Sequence, residues 1–215
     1  MLELPEGFGV DRDPPVPRKG EQLFIEGEDW YHNACLNYVS PAQQWDWYAR
    51  GYKLAGDALV DHAMMARHDR DVLVFPIVFN YRQYLELRLK DLVSVSGRLL
   101  DRQRDIPNHH DLVKLWREVR PNLEAVWPEG REHHDAIEEK IEEFSKFDAA
   151  SCAFRYPVDK KGRAALPDLR RVNLRHLRDV VAGIATVLDG SSIGLAEYLQ
   201  NKYEMQAEYG HFGEF

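Results

Sequence analysis

One stretch constrains this chain more than any other. Between Val72 and Leu100, in "VLVFPIVFNYRQYLELRLKDLVSVSGRLL", apolar side chains recur on almost every face of a helix: Phe75, Val78, Tyr81, Leu85, Leu89 and Leu92, with Phe79, Tyr84 and Leu87 between them. A helix apolar nearly all round must be surrounded, so it belongs in the middle of a bundle or at a subunit interface. Pro76 falls in its first turns, where proline is tolerated.

The rest of the chain supplies the surrounding helices. "SPAQ" opens a helix with Ser40 as N-cap, Pro41 at the first helical position and Gln43 completing a capping box. That helix is expected to reach about Arg67 and to bury the stripe Trp45, Tyr48, Tyr52, Ala55, Leu59 and His62. A third helix starts near "NHHDLVKLW" with Asn108 as its cap and continues to Val119 or Val126. A fourth covers Glu132–Phe147. "DAASCAFRYPVDKKGRAALPD" breaks the helical period, and its "FRYPVDKKG" suits a β-turn or small hairpin. A fifth helix is expected over Leu169–Leu188, stopped by Asp189-Gly190, with a shorter last helix after it. The expected fold is all-α: an antiparallel helical bundle with an extended N-terminal arm and a basic loop before the penultimate helix. The expected divisions are an arm at 1–39, a bundle at 40–190 and a helix with tail at 191–215.

Composition narrows the classes of function. The 215 residues include only two cysteines, Cys35 and Cys152, too few for a disulfide framework. The start lacks the features of a signal peptide, and no apolar run of membrane-spanning length stands out, so a cytoplasmic protein with no membrane partner is expected. The net charge of −8 disfavours a protein whose whole surface grips phosphates. The segment Lys160–Arg178 runs against that sign, with seven Lys or Arg and the single acid Asp168.

Four sets of residues are candidate sites. Arg171 and His176 can supply a phosphate-binding cation and a proton-transfer group. On one straight helix they point about 140° apart, so they act together only if Arg171 precedes the helix or a second subunit completes the site. The competing reading is a basic helix start with a solvent-facing histidine. Arg170 and Asn173 fall on the apolar side of that helix and there need partners. In the central helix, Arg82, Glu86 and Lys90 form an i, i+4 stripe, and Arg88 shares a face with apolar residues. These groups line a polar cleft or form structural ion pairs. The histidine pairs His109-His110 and His133-His134 do not chelate one metal from adjacent positions, and neither a metal nor a cofactor is expected. In the loop, Arg155, Tyr156 and Asp159 are binding candidates, Phe154 and Tyr156 alternatively staple the loop to the bundle, and Cys152 is expected to be a buried thiol.

Taken together, "YRQYLELRLKDLV", "NHHDLVKLW", "SCAFRYPVDKKG" and "LRRVNLRHLRDVVAGIATVL" resemble HEPN-type helical proteins over about Val72–Leu188. The resemblance implies a small helical bundle, commonly a homodimer, and a metal-independent endoribonuclease of a stress, toxin–antitoxin or phage-defence system. Its active motif is an arginine followed four to six positions later by a histidine, here Arg171 and His176. Val172 departs from the polar residue the pattern prefers, and an asparagine comes one place later, at Asn173. On this reading Glu86 orients the catalytic pair, while Arg82, Arg88, Arg155, Tyr156, Asp159, Arg170 and Asn173 bind. Three readings stay open at this level: a HEPN-like ribonuclease, a HEPN-like module that binds a nucleotide, an RNA or a protein partner without catalysis, and a purely structural helical protein.

Overall fold

The computed structural model describes residues 16–28, 30–36, 39–102 and 106–212. The chain divides into two units, Met1–Tyr38 and Val39–Phe215. Within the first, the described part is irregular apart from a turn closed by the Glu21 N–H on the Arg18 carbonyl at 3.0 Å and a single turn of 3-10 helix at Trp30–His32. Asn33 ties that turn back, donating to the Gly27 carbonyl at 2.7 Å and accepting the Gly27 N–H at 2.9 Å. The expected arm lies outside the described residues over 1–15.

The described residues of the second unit form five α-helices: α1 (Pro41–Met65), α2 (Arg70–Leu99), α3 (Leu112–Val126), α4 (Arg131–Asp148) and α5 (Leu174–Phe212). Among the described residues there is no strand, and one isolated bridge joins Val158 to Ala164 in the loop between α4 and α5. As its pattern requires, α2 is the hub: it packs on α1, α3 and α5. Ile77, Tyr81, Leu85, Leu89 and Leu92 are all fully buried.

Cross-helix contacts give the directions. Asp46 meets Arg88 and Asp57 meets Tyr81, so α1 runs opposite to α2. Arg82 reaches His110 and Ser96 accepts from Asn122, so α3 runs the same way as α2. Asp189 meets Arg88 and Lys202 meets the carbonyl of Leu99, so α5 also runs with α2. The bundle therefore mixes directions, a departure from the uniformly antiparallel expectation. Glu124 meets His134 and Arg120 meets Glu138, so α4 runs opposite to α3, and its last turn, at Phe147, lies by the His176 turn that starts α5.

Four further expectations are corrected. The buried stripe of α1 is Ala49, Gly56, Val60 and Ala63, while Tyr48, Ala55 and His62 are exposed. Small residues win the inner face because α1 lies close to α2: a Cβ on Gly56 would sit 2.7 Å from the Tyr81 ring. The cap of α3 is Asp111, which accepts the Lys114 N–H at 3.1 Å; Asn108 lies before it. Asp189-Gly190 does not stop a helix, and α5 runs unbroken for 39 residues. Asp189 is held by Tyr84 and Arg88, and such packing outweighs the roughly 1 kcal/mol helix cost of a glycine. Cys152 is exposed.

The continuity of α5 also joins two apolar stretches that the sequence separates. By length and composition alone, Leu174–Glu208 is apolar enough to cross a membrane. A third of its most apolar window is buried in the bundle.

Candidate functional site

The start of α5 decides where the motif residues go. After Pro167 the chain stays irregular until Leu174. Asn173 is the cap: its Oδ1 accepts the His176 N–H at 3.0 Å, and its carbonyl accepts the first helical bond, from Leu177, at 2.9 Å. The helix therefore begins five residues later than its apolar pattern suggests. Arg170 and Asn173 lie ahead of it and are exposed, which corrects their expected burial. Arg171 also precedes the helix, so the angular argument that separates it from His176 does not apply.

As a result Arg171 and His176 border the same cavity, of about 350 Å³. Its walls include Val78 of α2, Phe144 and Phe147 of α4, and Phe154 of the loop. Lys140, Glu143 and Asn173 also border it. Sequence reasoning missed Lys140 and Glu143. The signal was there: Lys140, Phe144 and Phe147 recur at i, i+4 and i+7 on one face of α4. A second cavity, of about 900 Å³, lies on the other side of the 169–173 segment, bordered by Arg70, Phe75, Arg170 and Arg175. Arg171, Asn173 and Phe154 border both.

The charges here are unspent. Among the described residues, the side chains of Arg170, Arg171, Arg175, His176 and Glu143 make no hydrogen bond or ion pair. The neighbouring Arg178 shows the alternative, held by Asp61 at 2.6 Å. Four arginines thus gather at the amino end of a long helix, where the backbone dipole is also positive and acidic residues are the usual choice.

The loop that closes the site is built by two aspartates. Asp148, at the end of α4, accepts the N–H groups of Cys152 at 2.6 Å and Ala153 at 2.9 Å through Oδ1. That turn puts Ser151 at φ 57° and drops Phe154 into the cavity wall, only 7% exposed. Arg155 donates to the Ser151 carbonyl at 2.6 Å and lies over the rings of Phe79 and Tyr156. Asp159 accepts from the N–H groups of Arg163 and Lys161 and from the Arg163 guanidinium. Those donors hold its carboxyl below the usual range. Asp159 therefore shapes a turn, and Tyr156 is exposed; neither borders the two cavities. Phe154 is the side chain that anchors the loop.

The central-helix candidates sit elsewhere. Glu86 is buried and receives Arg82 at 3.0 Å, Lys90 at 3.0 Å and His110 Nδ1 at 2.7 Å. Burial works against its charge, but the contacts to His110, Lys90 and Arg82 outweigh it and lower its pKa. Arg82 also donates to the carbonyls of Asp148 and His110, tying α2 to the end of α4 and the start of α3. Arg88, equally buried, holds Asp46, Asp91, Asp189 and the Ser192 hydroxyl. Burial opposes its charge too, yet Asp46 and Asp189 raise its pKa and keep it protonated. Glu86, Arg82 and Arg88 do not border the cavity of Arg171 and His176.

The histidine pairs are divided among separate tasks. His110 joins Glu86, and His134 is buried edge-on against Trp116, where loss of solvent lowers its pKa. Among the described residues, no three His, Cys, Asp or Glu side chains converge as a metal site would. No protein-family model, no curated protein and no solved structure matches this chain.

Proposed function

We propose that this chain is a HEPN-like RNA-binding protein that cuts the RNA backbone at the opening of α5, with Arg171 and His176 as the reacting pair. One observation carries the reading: an arginine and a histidine, both without protein partners, border a single cavity because the helix starts after the arginine. His176 takes the proton from a ribose 2′-hydroxyl, the 2′-oxygen attacks the adjacent phosphorus, and the bond to the 5′-oxygen breaks. The leaving oxygen takes a proton from water, and the product is a 2′,3′-cyclic phosphate. Arg171 grips the phosphate and offsets the charge that builds on it. The resemblance to HEPN proteins adds a homodimer, a cytoplasmic setting and a role in stress or defence, with a toxin–antitoxin partner as one form of it.

The test is cleavage of single-stranded RNA in EDTA. His176→Ala is expected to lower the rate by about 10²–10⁴-fold without changing the melting temperature. Cleavage that survives the substitution removes His176 from the reaction. Val172, the net charge of −8 and Glu143 on the cavity rim favour a second reading, in which the same cavity binds RNA or a nucleotide without cutting it. Saturable RNA binding by a wild-type protein that leaves the RNA intact would select it.

A further inference from the structure

The two cavities at the opening of α5 share one wall, the 169–173 segment, and their chemistry differs. The smaller is aromatic: Phe144, Phe147 and Phe154 line it. At about 350 Å³ it lies at the small end of ligand cavities, sized for one flat ring and too small for a base pair. Its rim carries a carboxylate, Glu143, beside Arg171 and Asn173. Lys140 and Arg171 border the cavity as well, so its charges are mixed, and Glu143 calls for a hydrogen-bond donor. The edge of a nucleobase satisfies it, because exocyclic amino and ring N–H groups donate to a carboxylate while the amide N–H groups of Asn173, not used by the cap, donate to ring acceptors. The larger cavity is basic, with Arg70, Arg170 and Arg175 against Asp71 alone. Arg70 donates to the Ala63 carbonyl, and the other two arginines have no partner among the described residues.

We infer that the small cavity holds one unpaired base and that Arg170 and Arg175, across the 169–173 wall, hold the next phosphate of the same strand. The ligand is then an unpaired oligonucleotide of at least two residues, with Arg171 at the phosphate between the two cavities. This rests on the proposed Arg171–His176 site and adds to it a base-reading pocket and a second phosphate contact. Recognition of single strands by stacking on aromatic side chains beside a basic groove is the physical precedent.

The experiment uses the full chain carrying His176→Ala, so that the probe stays intact. Fluorescence anisotropy measures binding of a fluorescein-labelled ribohexanucleotide and of six versions, each with one abasic residue. One abasic position is expected to weaken binding at least fivefold and the others to change it less than twofold. Phe147→Ala is expected to remove that positional penalty. Arg170→Ala with Arg175→Ala, both exposed and safe for the fold, is expected to weaken binding and flatten its salt dependence by about one to two phosphate contacts. Equal binding of the intact and all abasic strands overturns the base pocket. An unchanged salt slope overturns the second phosphate contact, and equal binding of a blunt duplex overturns the need for an unpaired strand. If the wild type cuts RNA while binding ignores the bases, this inference fails and the proposed function stands. If base-dependent binding appears without cleavage by the wild type, the inference stands and catalysis fails. No binding of any oligonucleotide overturns both.

Discussion

The buried charges of α2 and the exposed charges at the opening of α5 use the same residue type in opposite ways. Arg88 is 1% exposed and carries three carboxylates and a hydroxyl. Arg170, Arg171 and Arg175 are exposed and carry nothing among the described residues. Four of the five N–H donors of Arg88 are spent on α1, α2 and α5, so its work is to lock helices together. An exposed arginine on a cavity wall costs the fold little and keeps its whole hydrogen-bonding fork free. The difference sorts structural cations from candidate binding cations more reliably than their pattern along the sequence does.

The sharpest way to break this comparison is at Arg88. Arg88→Ala leaves Asp91 buried without its cation and removes the link between α1, α2 and α5. A loss of about 3–5 kcal/mol in denaturant unfolding is expected. A loss below 1 kcal/mol would mean that the network is not structural. Next comes acid. The Glu86 pKa is lower in the fold than in the unfolded chain, so its stabilising contribution is full above about pH 4.3 and is lost as pH falls through the folded value. Asp91 works the other way: burial raises its pKa, so its effect favours the fold at low pH and fades as pH rises. Comparing wild type with Glu86→Gln isolates the first effect. The difference in stability between them is expected to shrink as pH drops below 4, and a constant difference from pH 7 to 3 would contradict it. The smallest effect belongs to the α5 opening. Arg170→Ala and Arg175→Ala are each expected to change unfolding stability by less than about 0.5 kcal/mol. A loss beyond 1 kcal/mol at either position would place it with the structural cations.

Much of the helical framework was legible because its signals are local. Ser40, Pro41 and Gln43 mark the start of α1, and Gln43 does accept the Ser40 N–H, at 3.4 Å. The all-round apolar pattern of α2 identifies the hub without any neighbour. What escaped depends on partners distant in sequence. The inner face of α1 is set by how closely Tyr81 approaches Gly56, a fact about α2. The unbroken α5 depends on Arg88 and Tyr84, a hundred residues away, holding Asp189. At the candidate site the opposite lesson holds. Asn173 is a readable cap, but the apolar period runs back past it to Leu169. Followed that far, the period puts Arg170 and Asn173 on a buried face and sets Arg171 apart from His176; the cap overrides it. Lys140 shares a readable face of α4 with Phe144 and Phe147, but that this face borders the cavity of His176 depends on where the 149–173 loop brings the chain, which no local pattern supplies.

The 39 residues of α5 form one rod about 58 Å long. It is pinned to the hub near its middle, at Asp189 and Ser192, and again at Lys202, which donates to the carbonyls of Arg98 and Leu99. The two pins stand about 20 Å apart along the rod, and the Leu174 end with its cavities lies about 22 Å before the first of them. Two separated pins fix the line of a rod as one does not, so the direction of the cavity wall is set by contacts made far down the same helix.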